Sequence, residues 1–454
     1  MIRTALLRYR TWLLMACLCC SFNAFALDFR EAYELAKQHD PGWLAAQSES
    51  AAGQQARALG RSALLPSLNY RYSRAKNWSE VRQETPLGAT TNDMDYTSYS
   101  SSFTLTQPLL DAAAFAQYQA GKAQAQAAEL TLERARQALA VEVLQAYTGV
   151  LYAHDDIELA TAHLRALQEE HQRSQRFIDY GEGTRTDQLE IAAQTRLVEA
   201  QLIEAEDRLS DAHNVLRALT GTGAPPGALA PLQADRLAHN LQATQENSVL
   251  SLEQWHERTL AHNPELAAQR SLLEAARHQL HQQRAGHLPS VRLYARSQIS
   301  DSNSENMIGQ RYDTDSIGVE VNLPLYSGGR VVAASRQADN TYEQTRHELD
   351  AATVALRNDV ERQYRLTRSS QQRIEAYQHT VTAATARLEA TRKSILGGER
   401  TNLDVLNAER GRFEALRDLS RARYDYLLAW LTLRWQAGVL DNDDIDQIAG
   451  YFAP

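Results

Sequence analysis

The chain has 454 residues, 43% hydrophobic and 23% charged, with a net charge of −9. That length exceeds one ordinary domain, so two domains or a repeat are expected. The acidic balance speaks against a nucleic-acid partner, and no run outside the first residues reaches the ~18 apolar residues of a membrane-spanning helix.

Residues 1–26 read as a secretory signal peptide. Arg3, Arg8 and Arg10 precede the short apolar run "TWLLMACLCCSF", and "AFA" closes it at Ala26. "LMAC" before Cys17 is a looser lipoprotein signal and ranks second. Cys17, Cys19 and Cys20 all lie here, so the mature chain holds no disulfide and must be stabilised by packing or assembly partners. Without the three arginines the net charge is −12.

The remainder repeats. "HDP" at His39 returns as "HNP" at His262, and "LLPSLNYRYSR" from Leu64 as "HLPSVRLYARS" from His287, both at an offset of 223 residues. "LTQPLLDAAA" from Leu105 returns as "VNLPLYSGGR" from Val321, offset 216; "GEGTRTDQLE" from Gly181 returns as "GERTNLDVLN" from Gly398, offset 217. The halves are residues 27–219 and 250–436, joined by a Gly/Pro-rich segment over 220–249 and followed by a short tail over 437–454.

Each half predicts helix, strand, strand, very long helix, turn, helix. After Pro66 and Pro289 the apolar period changes from near 3.6 to 2. Leu68, Tyr70 and Tyr72 alternate with Asn69 and Arg71; Phe103 and Leu105 alternate with Ser102 and Thr104. Val291 and Leu293, then Val319 and Val321, do the same in the second half. Polar loops are expected at Lys76–Asp95 and Asp301–Asp313. After Pro108 and Pro324 come about 70 proline-free residues, which as a helix would span ~105 Å and need neighbours along their length. Alanine dilutes the apolar stripe, which suits a helix packed between two neighbours.

The repeated glycine stretch is the hairpin turn at the end of each long helix. Gly181 or Gly398 ends the helix, Thr184 or Thr401 caps the returning one, and Asp187 or Asp404 sits in its first turn. Four amphipathic strands in an exported chain suggest an outer-membrane barrel, with the tyrosines as an aromatic girdle. Four strands cannot close around a lumen, for which about eight are needed, so the barrel must be shared between chains. His278 and His281 make half a metal site without a third ligand, so no metal is expected. Gly328 and Gly329 read as a strand-to-helix join. Neither a cofactor nor a nucleophile–base–orienter set is evident, so an enzyme is not expected.

These ordered, duplicated markers resemble the TolC family of outer-membrane ducts over nearly all of 27–440, and the first turn most resembles ducts of type I protease and toxin exporters. The resemblance implies a mixed, mainly helical homotrimer. Its 12-stranded barrel would continue as a periplasmic helical tunnel, with an equatorial belt from the join and tail. It implies a periplasmic adaptor and an inner-membrane ABC transporter (or RND pump) as partners, and outer-membrane lipid around Leu68, Tyr70, Tyr72, Phe103, Leu105, Val291, Leu293, Val319 and Val321. A gate is implied where the hairpins meet. Asp404 occupies an acidic-ring position, and Asn407 stands where the family has a second aspartate. Asp187 and Arg400 match a closing link, with Thr186 a third member; Ile395 stands where the family often has a tyrosine. The tips at Gly181, Gly183, Thr184, Gly398 and Thr401 would meet the adaptor. The implied cargo is unfolded secreted protein. Multidrug efflux is the alternative within the class, and a soluble periplasmic coiled-coil scaffold the alternative outside it.

Overall fold

The proline markers are helix boundaries. Asp40 caps helix α2 (Pro41–Ser62) by accepting the Trp43 N–H at 2.6 Å, and α1 (Phe29–His39) stops just before it. Asn263 does the same for α7 (Pro264–Arg284), accepting from Glu265 and Leu266 after α6 (Leu252–His262) has ended. Proline at the first helical position has no N–H to leave unpaired. The single opening helix expected in each half is therefore two helices.

The computed structural model describes residues 26–86, 88–180, 184–221, 229–246, 250–302, 310–396 and 400–452. The signal segment up to residue 25, parts of the Gly/Pro-rich join, and Gly181, Gly183 and Gly398 lie outside the described residues. Between the early helices and the join run strands β1 (Ser67–Thr85) and β2 (Gly88–Leu110), then α3 (Ala112–Asp179) and α4 (Arg185–Thr220). After α5 (Ala234–Glu246), α6 and α7 come β3 (Ser290–Ser302), β4 (Gln310–Asn322), α8 (Arg330–Leu396), α9 (Asn402–Ala437) and α10 (Asn442–Ala449). The long helices α3 and α8 hold 68 and 67 residues.

The chain divides into two units. One takes in the described residues of Ala46–Arg134 and Asn263–Leu356. Its strands form one antiparallel sheet in the order β1-β2-β3-β4, so β1 and β4 are its edges. The register sets Leu68 opposite Leu105, Leu105 opposite Ala295, and Ala295 opposite Ile317, so these residues share one face. Lys76–Asp95, expected as a loop, instead continues the β1–β2 ladder to the Thr85–Gly88 pair. Likewise β3 runs to Ser302 and β4 starts at Gln310. Where both faces meet water polarity stops alternating, but backbone pairing continues, so the period fails as a boundary signal. In the same unit α2 and α3 approach closely. A Cβ on Gly121 would stand 2.3 Å from the Ala56 carbonyl oxygen, so only glycine permits that contact.

The other unit takes in the described residues of Met1–Ala45, Ala135–His262 and Arg357–Pro454. Its fully buried residues include Phe29, Tyr33, Leu144, Tyr147, Leu237, Leu427 and Phe452. The Tyr147 ring meets Phe29 and Phe452 edge-on, at 6.2 and 5.1 Å between centroids. Leu27 and Leu229 form a short parallel bridge beside it. The segment before α1, the join and the C-terminal tail thus gather on one residue of α3. A second cluster, Trp255, Val360, Leu433 and Ala437, packs α6, α8 and α9 together.

Candidate functional site

The two hairpin returns are built by their caps. The Thr184 hydroxyl accepts the Asp187 N–H at 3.2 Å and starts α4. At α9 the reciprocal bond carries the turn: the Asp404 carboxylate accepts the Thr401 N–H at 3.0 Å and its hydroxyl at 3.1 Å. Those Thr401 bonds, backbone first, hold the Asp404 carboxyl below the ordinary carboxylate range, and Arg400, 3.8 Å away, adds to the effect. The ring candidate is therefore an ionised acid at the positive end of a helix. Asn407 lies three residues on, exposed, while Val405, Leu406, Ala408 and Glu409 between and beyond them are buried. Asp404 and Asn407 thus share the uncovered face of α9. Thr186 is exposed and Asp187 half-buried. Arg400 pairs with Asp404 within the chain, and Asp187 has no ion-pair partner among the described residues.

Behind these caps the hairpins close on apolar contacts. Leu167 of α3, Ile191 and Val198 of α4 and Leu406 of α9 form one cluster. Leu388 of α8 with Val405 and Ala408 of α9 form another, against which Ile395 packs. Ile395 therefore contributes apolar packing at a position where a tyrosine would offer a hydroxyl.

Charges that the sequence reading did not single out lie inside this packing. Glu409, 1% exposed, pairs with Arg392 of α8, while its second oxygen has no hydrogen-bond partner among the described residues. Burial pushes the Glu409 carboxyl up; the Arg392 hydrogen bond and charge oppose this, and nearby Glu170 adds to the rise. Glu170 is itself buried and pairs with Arg173 at 3.0 Å. The signal was available: Glu409 falls at the inward helical spacing of Val405, Leu406 and Phe413. His163 is buried as well, stacked on Phe413 at 4.5 Å, and burial first, then the Arg410 charge, push it down to about 4. About two turns nearer the start of α3, Asp155 accepts the hydroxyls of Ser420 and Tyr424, and Asp156 pairs with Arg208 at 2.6 Å, tying α3 to α9 and α4.

The sheet is the second candidate site. One face carries Leu68, Tyr70, Tyr72, Phe103 and Leu105, then Val291, Leu293, Val319 and Val321. The Tyr70 and Phe103 rings meet at 4.7 Å. Leu68 is 67% exposed and Ile317 77%. A contiguous exposed apolar face of this kind demands a non-aqueous neighbour. The opposite face presents Asn69, Arg71, Ser102, Thr104 and Arg296. Both open edges expose unpaired backbone groups, which hydrocarbon does not tolerate. His278 and His281 lie on α7 with rings 6.2 Å apart. No helix among the described residues is long and apolar enough to cross a membrane.

Known proteins carry this arrangement. The model of the outer membrane efflux protein family matches residues 32–222 and again 255–439. The alkaline protease secretion protein AprF of Pseudomonas aeruginosa is 44% identical over 446 residues, 98% of this chain and 92% of that protein. The proteases secretion protein PrtF of Dickeya chrysanthemi is 40% identical over 95% of this chain and 92% of its own length. The outer membrane protein TolC of Vibrio cholerae is 30% identical over 94% of each. Among solved structures, CusC superposes with a TM-score of 0.76 at 18% identity, over 90% of this chain and 92% of that one, which fixes the fold alone. With its sheet and its long helices, the chain is a channel protein of the outer membrane and belongs to the outer membrane efflux protein family.

Proposed function

We propose that the chain is the outer-membrane duct of a type I exporter, passing unfolded secreted proteins outward. The observation that carries this reading is the four-stranded sheet, apolar on one face, polar on the other and open at both edges. Three copies give a closed barrel of 12 strands, above the minimum of about eight. The helices continue it as a tunnel; 68 residues span about 100 Å. The two separate family matches support reading the halves 27–219 and 250–436 as a duplication. The names of the two protease secretion relatives support protein cargo, and an inner-membrane transporter and a periplasmic adaptor are the partners such an exporter would supply.

The hairpin returns are the gate. Asp404 supplies a ring of three carboxylates in the trimer, and Asn407 makes a neutral second ring. Asp187 and Arg400, with Thr186, link the turns between neighbouring hairpins, and the tips from Gly181 to Thr184 and from Gly398 to Thr401 receive the adaptor. Links exposed to water are each worth a few tenths to about 1 kcal/mol, a magnitude a docking partner can overcome. Reconstituted in planar bilayers, the protein should show a low resting conductance that Asp187→Ala with Arg400→Ala raises. An unchanged conductance contradicts the link; no conductance at all contradicts the duct. For cargo, expression in cells whose protease exporter lacks its outer-membrane component should restore extracellular protease. Protease retained inside the cells would contradict that assignment.

A further inference from the structure

The polar face of the sheet carries an excess of positive charge. The apolar side mixes both signs: Asp301, Asp313 and Asp315 stand with Arg74 and Arg311, and farther along the β1–β2 ladder Glu80, Glu84, Asp93 and Asp95 stand with Lys76 and Arg82. The opposite face carries Arg71, Arg292 and Arg296 against one acid, Glu320, over the length where all four strands pair. That is a net charge of +2 on one face, in a chain of net −9. Arg292 and Glu320 neutralise each other at 2.5 Å. Arg71 and Arg296 remain exposed, and neither has an ion-pair partner among the described residues.

Their placement is regular. Arg71 opposes Ser102 and Arg296 opposes Thr104, two residues along β2, so they stand on adjacent same-face rows. Two strand spacings, about 10 Å, lie between them. Their immediate β2 neighbours on that face are hydroxyls, which compete weakly for a guanidinium. Tyr294 on the same face lies down over Gly318: a Cβ there would come within 2.7 Å of the tyrosine oxygen. The one bulky ring beside Arg296 is thus folded along the wall.

We infer that Arg71 and Arg296 form a guidance site for acidic, extended polypeptide on the inner wall of the barrel. The inference rests on the duct reading and names the cargo chemistry that the wall favours. Guanidinium forks match carboxylates and hold them by charge-assisted hydrogen bonds. In an open, hydrated wall each contact is weak and exchanges quickly, as conduction requires: favourable enough to enter, weak enough to leave. A trimer brings six such arginines around one lumen, and that field concentrates anionic segments while repelling cationic ones.

The test uses the assembled protein in planar bilayers, with polyglutamate or polylysine of matched length added on the barrel side. Polyglutamate should half-block the pore at a concentration roughly tenfold lower than polylysine, and the preference should fade as salt is raised. Arg71→Gln with Arg296→Gln should equalise the two peptides, whereas the charge-conserving Arg71→Lys with Arg296→Lys should retain the preference. A conducting wild-type pore blocked equally by both peptides, or better by polylysine, overturns the inference and leaves the duct intact. So does a Gln variant that conducts normally and keeps the preference. A wild-type protein that forms no pore overturns the duct reading and the inference together.

Discussion

The Tyr147 hydroxyl donates to the backbone carbonyl of Leu27 at 2.8 Å. It also lies 3.1 Å from the Ala230 carbonyl, whose own N–H reaches Leu27 at 3.1 Å. One side chain of the longest helix therefore holds the first described residues and the mid-chain join, while Phe452 brings the tail against its ring. Tyr147→Phe removes the hydroxyl but keeps the ring. Leu27 retains its bond from Ala230, and the buried Ala230 carbonyl loses its donor, so the loss should be about 1–2 kcal/mol. Thermal unfolding in detergent reads this directly; an unchanged midpoint would contradict the pinning role.

His163 makes stability depend on mild acid. Burial and Arg410 hold it down to about 4, below the ordinary value of 6.5. A histidine lowered in the folded state contributes stability that is present above pH 6.5 and lost as pH falls towards 4. At pH 5 the loss is about 2 kcal/mol per chain. Glu409, raised by burial, acts in the opposite sense: its contribution is largest at low pH and declines as pH rises through its folded value. The midpoint should therefore drop between pH 7 and pH 5 in the wild type and drop less in His163→Gln. An equally steep drop in the variant would contradict this assignment.

Arg392 neutralises a carboxylate that has little access to water. Arg392→Met should cost about 3–5 kcal/mol, because Glu409 is left buried and unpaired. Arg392→Met with Glu409→Leu should recover most of that loss, since an apolar pair of similar size avoids desolvating either charge. A double variant as unstable as the single one would show that the arginine acts through its packing alone.

Gly318 gives Tyr294 its resting place on the sheet. Gly318→Val should push the ring off β4 towards the lumen and lower the single-channel conductance, and Tyr294→Ala in that background should restore it. A conductance that does not change with Gly318→Val would place the ring outside the conducting path.

Much of this was legible in the chain because it was written twice. The match of the two glycine-started turns located the helix returns at Thr184 and Thr401, whereas "HDP" and "HNP" marked the repeat without revealing the helix breaks at Asp40 and Asn263. Leu68, Tyr70 and Phe103 revealed the apolar face because hydrocarbon imposes a strict period of 2. That constraint lapses beyond Lys76, where the polar composition of the strands reads as loop although the ladder continues. Glu409, Arg392 and His163 escaped notice for a related reason: a polar residue at an inward helical position looks like an interruption of the stripe until its partner on another helix is known. Arg71 and Arg296 are far apart in sequence, and only the register through β2 places them side by side.

The most direct test of the shared barrel is electron microscopy of the protein extracted from membranes in detergent. The account predicts particles with a three-fold axis, each chain giving four strands to one closed 12-stranded barrel. Particles without a three-fold axis or a barrel, or a protein recovered only from the soluble periplasmic fraction, would contradict it.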